Sequence, residues 1–160
     1  MRVLLAGCLV IFSATAVAAD WKDQDTPASK TKSVVVEGRD GVFGRSCREE
    51  NTAKADEYTF DVNRSGVCVD QTMVTLTIDG RSKSYQFECY GRDSGGVLLI
   101  LTADTRNEQT VNDVADIDDR IQKATGKDMS IKTNITKRPM IFLLIGAGEK
   151  MGRVVKFCQQ

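Results

Sequence analysis

The stretch Gly91-Arg92-Asp93-Ser94-Gly95-Gly96 sets a serine between an aspartate and two glycines, just before an apolar run. Hydrolases present nucleophilic serines in such settings. A serine hydroxyl attacks only when a base takes its proton, and histidine is that base in Ser-His-Asp triads. The chain contains no histidine, so the triad cannot be built. A Ser-Lys pair using Lys83 or another lysine would need a desolvated amine, and no spacing favours one. The stretch reads as a turn in which Asp93 and Ser94 close onto their own backbone and Gly95 supplies positive φ.

Ile145-Gly-Ala-Gly-Glu-Lys-Met-Gly152 has the glycine density of a phosphate-binding loop. Its third glycine comes one position late for Gly-x-Gly-x-x-Gly. The following Arg153-Val-Val-Lys-Phe-Cys158 reads as a strand, where a nucleotide loop needs a helix N-terminus. A glycine-rich hairpin loop is the expectation, and no cofactor is implied.

One acidic cluster stands out: Asp113, Asp116, Asp118 and Asp119, with Asp104 and Glu108 upstream. The spacing does not fit an EF-hand, which needs a central glycine and a glutamate at its twelfth position. The acids instead suit the start of a solvated helix. Asp113, Asp116 and Asp119 are the best candidates for an exposed docking edge toward a basic partner.

Cys47, Cys68, Cys89 and Cys158 remain once Cys8 is set aside with the leader. Four cysteines with no Cys-x-x-Cys pair and no histidine argue against zinc and thioredoxin-like chemistry. Two disulfides of undetermined connectivity are expected, as in an oxidising compartment.

The leader supports export. Arg2, the apolar Val3–Phe12 and the small-residue Ala16-Val-Ala-Ala19 have the layout of a signal peptide cleaved between Ala19 and Asp20. Leu5-Ala6-Gly7-Cys8 matches a lipobox, but too few residues precede Cys8 for an apolar core, so lipidation is not expected. No other apolar run is long enough to span a membrane. Arg2 is the one charge in the leader, leaving 21 basic against 22 acidic residues. That balance gives no whole-chain field for nucleic acid or an anionic membrane, although a local patch remains open.

These residues must be positioned by about 140 others, enough for one domain that buries roughly two-thirds of its unfolded surface. Asp20–Lys32 is polar and reads as a flexible leader to a single domain over 33–160. Gly38–Gly44 reads as a loop and Ser46–Ala55 as a short helix. Val74–Cys89 is a hairpin about Asp79-Gly80, pairing Ile78 with Arg81, Leu76 with Lys83 and Val74 with Tyr85. Val97–Leu101 is a strand. Thr110–Thr125 is an amphipathic helix with Val114, Ile117, Ile121 and Ala124 in one stripe and Thr110 as its cap. Met129–Ile135 is a strand, and Met140–Ile145 one buried on both faces.

The expected class is α+β, a mostly antiparallel sheet of about six or seven strands with one main helix. The expected role is that of an exported, non-enzymatic interaction domain of the periplasm or envelope: an inhibitor, a toxin-immunity protein or an accessory subunit that binds another protein. The alternative is a carboxylate-dependent hydrolase or a small-ligand carrier with a pocket between sheet and helix.

Overall fold

The structure, a computed structural model, describes residues 20–50, 53–63, 68, 70–93 and 95–160. The segment read as a signal peptide, with Cys8, and Ser94 itself lie outside the described residues.

The strands are β1 (Lys22–Asp23), β2 (Thr31–Gly38), β3 (Gly41–Glu50), β4 (Ala53–Val62), β5 (Gln71–Ile78), β6 (Arg81–Gly91), β7 (Val97–Thr102), β8 (Asp128–Thr133) and β9 (Met140–Leu143). Helix α1 spans Glu108–Gln122 and α2 Ala147–Cys158. All nine strands join one antiparallel sheet in the order β1-β2-β3-β4-β7-β6-β5-β8-β9. The class is α+β as the sequence implies, with more strands and a second helix.

Cross-strand partners share a face, so the register fixes what points inward. Val36, Phe43, Phe60, Leu99 and Cys89 follow one another across β2, β3, β4, β7 and β6. Val74, Leu76 and Ile78 of β5 continue into Ile131 and Met129 of β8, and Met129 into Phe142 of β9. The sheet curls until its ends meet. Trp21 Nε1 donates to the Leu143 carbonyl at 2.7 Å, and a Cβ at Gly38 would lie 2.7 Å from the Phe142 ring. Phe43, Phe60 and Phe142 meet with ring centroids 5.8–6.4 Å apart. The chain leaves β7 in the middle of the sheet and must return to β8 beside β5, so α1 crosses the inner face, with α2 packed beside it.

The hairpin follows its turn chemistry. Ile78 pairs with Arg81, Leu76 with Lys83 and Val74 with Tyr85. Asp79 and Gly80 both have positive φ, at 49° and 72°, as a type I′ turn requires.

Four expectations give way. The segment read as loop and short helix is β3, whose glycines mark close approach rather than a turn. A Cβ at Gly41 would overlap the Asp61 carbonyl, and one at Gly44 would lie 2.9 Å from Thr59 Oγ1. The segment read as a free leader carries β1, and Trp21 is buried at 4% exposure. Met140–Leu143 is an edge strand with Ile141 53% exposed, not a strand buried on both faces. Arg153–Cys158 belongs to α2: Ala147, Met151 and Val154 are buried on one side of it, a spacing of four and three that propensity for Val-Val concealed. The main helix also begins earlier, at Glu108, with Asn107 as its cap accepting from Gln109 N at 3.2 Å.

Candidate functional site

The acidic helix is where the structure departs most from the sequence. Val114, Ile117 and Ile121 face the sheet, and Asp113 and Asp118 are buried with them. Asp118 reaches Arg45, which occupies an inward slot of β3 between Phe43 and Cys47 and is 1% exposed. The guanidinium donates two near-parallel hydrogen bonds to Asp118, Nε to Oδ1 at 2.9 Å and Nη2 to Oδ2 at 3.0 Å. Its third nitrogen donates to Asp56 of β4 and, at 2.9 Å, to the Ser46 carbonyl. Tyr58 donates its hydroxyl to Asp118 Oδ1 at 2.5 Å and lies 5.0 Å beneath the guanidinium. Burial opposes the arginine's charge, but its bonds to Asp118 and Asp56 raise its pKa further above the ordinary value. Burial and the Asp118 charge push the Tyr58 phenol well up. Every member satisfies another, so the network fastens α1 to β3 and β4 and leaves no free acid or base.

A second network holds the same helix on its other flank. Asp116 accepts from the Tyr85 hydroxyl and pairs with Lys83 at 3.1 Å. Arg120 donates to that hydroxyl at 2.8 Å and to the Arg81 carbonyl at 2.6 Å. Burial works against the Asp116 carboxylate, but Tyr85 and Lys83 outweigh it and lower its pKa. Burial and the bond to Asp116 raise the Tyr85 phenol. Asp79, in the hairpin turn, accepts from Thr125 N at 2.9 Å and Gly126 N at 2.6 Å, tying the end of α1 down.

Of the three proposed docking residues, Asp113 is 8% exposed and accepts from Gln109 at 2.8 Å. Asp116 is half-buried in the second network. Asp119 is exposed and pairs with Lys123 at 2.6 Å. The outward side of α1 keeps Glu108 and Asp119 with Val111, Asn112 and Ala115 between them. The acids are dispersed, not gathered.

The four cysteines form two disulfides, Cys47–Cys158 and Cys68–Cys89, each with Cα atoms 5.7 Å apart. Such bonds fit an oxidising compartment. Cys47–Cys158 joins β3 to the last residue of α2. Asp56 lies within 4.8 Å of both its sulfurs, but the sulfurs are bonded to each other and the carboxylate serves Arg45.

The glycine-rich motifs resolve differently. Gly95 has φ +84°, and Arg92 N donates to the Gly96 carbonyl at 2.9 Å, so Gly95 supplies the positive φ expected of it. Gly146, with φ 76°, is the N-cap of α2. The strand–glycine–helix context missing from the sequence reading is therefore present, on an antiparallel edge strand.

Two shallow depressions bear on small-ligand binding. One, about 150 Å³, lies between the start of α1 and β5–β7 and is lined by Gln71, Gln86, Glu88, Asn107, Gln109 and Asp113 among others. The other, about 220 Å³, has Lys30, Lys32, Asp25, Glu49 and Phe157 in its walls. Small-molecule sites usually occupy about 300 Å³ or more. Among the described residues no helix is long and apolar enough to cross a membrane. The fold and site thus define a curled antiparallel sheet clasping two helices, stapled by two disulfides. No family model, curated protein or solved structure matches the chain.

Proposed function

We propose that the protein is an exported, non-enzymatic interaction domain of the periplasm or envelope, acting as an inhibitor, toxin-immunity protein or accessory subunit. The observation that carries this reading is the double fastening of α1. Salt-bridged networks on both flanks, with the Cys47–Cys158 bond holding the neighbouring α2 to β3, pre-organise one surface, which is what recognition of a protein requires. Export rests on the signal-like leader and is supported by the disulfides. The docking edge is the outward side of α1, with Glu108 and Asp119 at its two ends and Asp116 and Asp113 at its margin. The rival, a carboxylate-dependent hydrolase or ligand carrier, would use the groove at Glu88 and Asp113, whose 150 Å³ is small for that purpose.

The test is quantitative cross-linking in the producing cell's envelope, comparing the unaltered protein with a Glu108→Lys/Asp119→Lys variant. A partner recovered with the first, and recovered more slowly and with less salt dependence by the second, supports the reading. Identical recovery by both proteins places the interface elsewhere, and turnover abolished by Asp113→Asn would establish the rival.

A further inference from the structure

The convex side of the sheet carries an unpartnered surface at its β9 end. Because Met140, Phe142 and Leu144 point inward, Ile141, Leu143 and Ile145 form an outward row, and Ile141 and Ile145 are 53% and 58% exposed. Few large apolar side chains elsewhere among the described residues are as open.

Cations collect around the same row. A Cβ at Gly38 would lie 3.2 Å from the Ile141 carbonyl, which brings the backbone of the neighbouring Arg39 near that residue. Ile131 pairs with Met140, so Lys132 on the outward side of β8 lies next to Lys137-Arg138. All four cations are exposed. None forms an ion pair among the described residues, whereas cations elsewhere, such as Lys22, Lys83 and Arg92, are held by carboxylates within 3.1 Å. Against them stand Asp128, opposite Leu143, Glu37, which is held by Lys22, and Asp40, which is already engaged. A chain of zero formal net charge thus concentrates unneutralised positive charge in one place.

Exposed aliphatic side chains flanked by unpaired Lys and Arg match an anionic bilayer surface, where the first enter the headgroup boundary and the second meet lipid phosphates. Nucleic acid would call for aromatic side chains on which bases stack, and this row has none. We propose that the Ile141–Ile145 row, with Arg39, Lys132, Lys137 and Arg138, seats the protein peripherally on a membrane rich in anionic phospholipid. This is independent of any protein partner, which would use α1 on the other side of the sheet.

Co-sedimentation of the protein with both disulfides formed, with phosphatidylglycerol-containing and pure phosphatidylcholine vesicles, tests the proposal. Binding should be confined to the anionic vesicles and weaken as salt rises. Lys137→Gln/Arg138→Gln should cost about fivefold per charge removed, and Ile141→Ser/Ile145→Ser about tenfold. Thermal midpoints should stay unchanged because these side chains are exposed. Equal partition onto both vesicle types, or binding to neither, overturns the proposal, as does unaltered binding by the charge variant. So does retention on heparin or an oligonucleotide without vesicle binding, which would assign the patch to an anionic polymer. Should a variant unfold, the comparison of the two vesicle types with the unaltered protein decides.

Discussion

The two helices lie side by side on one inner face and are held there by opposite means. α2 presents Ala147, Met151 and Val154 and is closed by the Cys47–Cys158 bond. α1 presents an apolar stripe as well, but Asp118 and Asp116 anchor it through Arg45 and through Tyr85 with Lys83. An apolar helix can slide or turn at modest cost, so a covalent staple fixes its position. An ion pair with two-point geometry fixes position by itself, because an alternative seat strands a buried charge. The difference shows why α1 is acidic: Asp118 and Asp116 fasten it, Asp113 is buried against Gln109, and only Glu108 and Asp119 face outward.

The comparison can be broken most severely at the staple. Replacing Cys47 and Cys158 with serine opens a separation of 111 residues, a loss of about 4–5 kcal/mol on the chain-entropy account. Denaturant unfolding should show that loss, and hydrogen exchange should rise first in α2 while α1 stays protected. Equal loss of protection in both helices would show that the ionic networks do not hold α1 independently.

Asp118→Ala should cost about 3–5 kcal/mol, since it leaves the buried Arg45 guanidinium without its two-point partner. Arg45→Met in the same chain should recover much of this in chemical denaturation, because an apolar replacement of the pair restores neutrality. Failure of the double variant to recover would mean that the network's worth lies in shape and not in charge.

The smallest effects separate Asp116 from Asp119. Asp119→Asn should change stability by no more than about 0.5 kcal/mol, as expected for an exposed pair. Asp116→Asn should act through pH. The folded state lowers this carboxyl's pKa, so its contribution is complete above the unfolded value of about 3.9 and disappears as pH falls through the lower folded value. Thermal melts of the unaltered protein and the Asp116 variant should therefore differ at pH 6 and converge at the acid end. A gap that persists below the folded value would assign the Asp116 effect to packing.

The hairpin was fully legible because two independent local signals agree there, the Asp79-Gly80 turn and the alternation on either side. The stripe of α1 was legible for the same reason, in that a period of 3.6 is written into the chain. β3 was hidden because its inward row contains Arg45, which breaks the alternation, and because Gly41 and Gly44 look like turn residues when their cause is the nearness of Asp61 and Thr59. α2 was hidden because Val154-Val155 favours extended backbone locally, while a tertiary apolar face overrides that preference.

What the sequence alone determined is local: turn chemistry, helix periodicity, the absence of any histidine, and an even set of cysteines once Cys8 is set aside. Which cysteines pair, which acids are buried, and which apolar row stays open were decided only by the fold. Those properties depend on residues far apart in the chain, such as Arg45 and Asp118 or Gly38 and Ile141, and contact between them exists only after the sheet has curled its ends together around the helices.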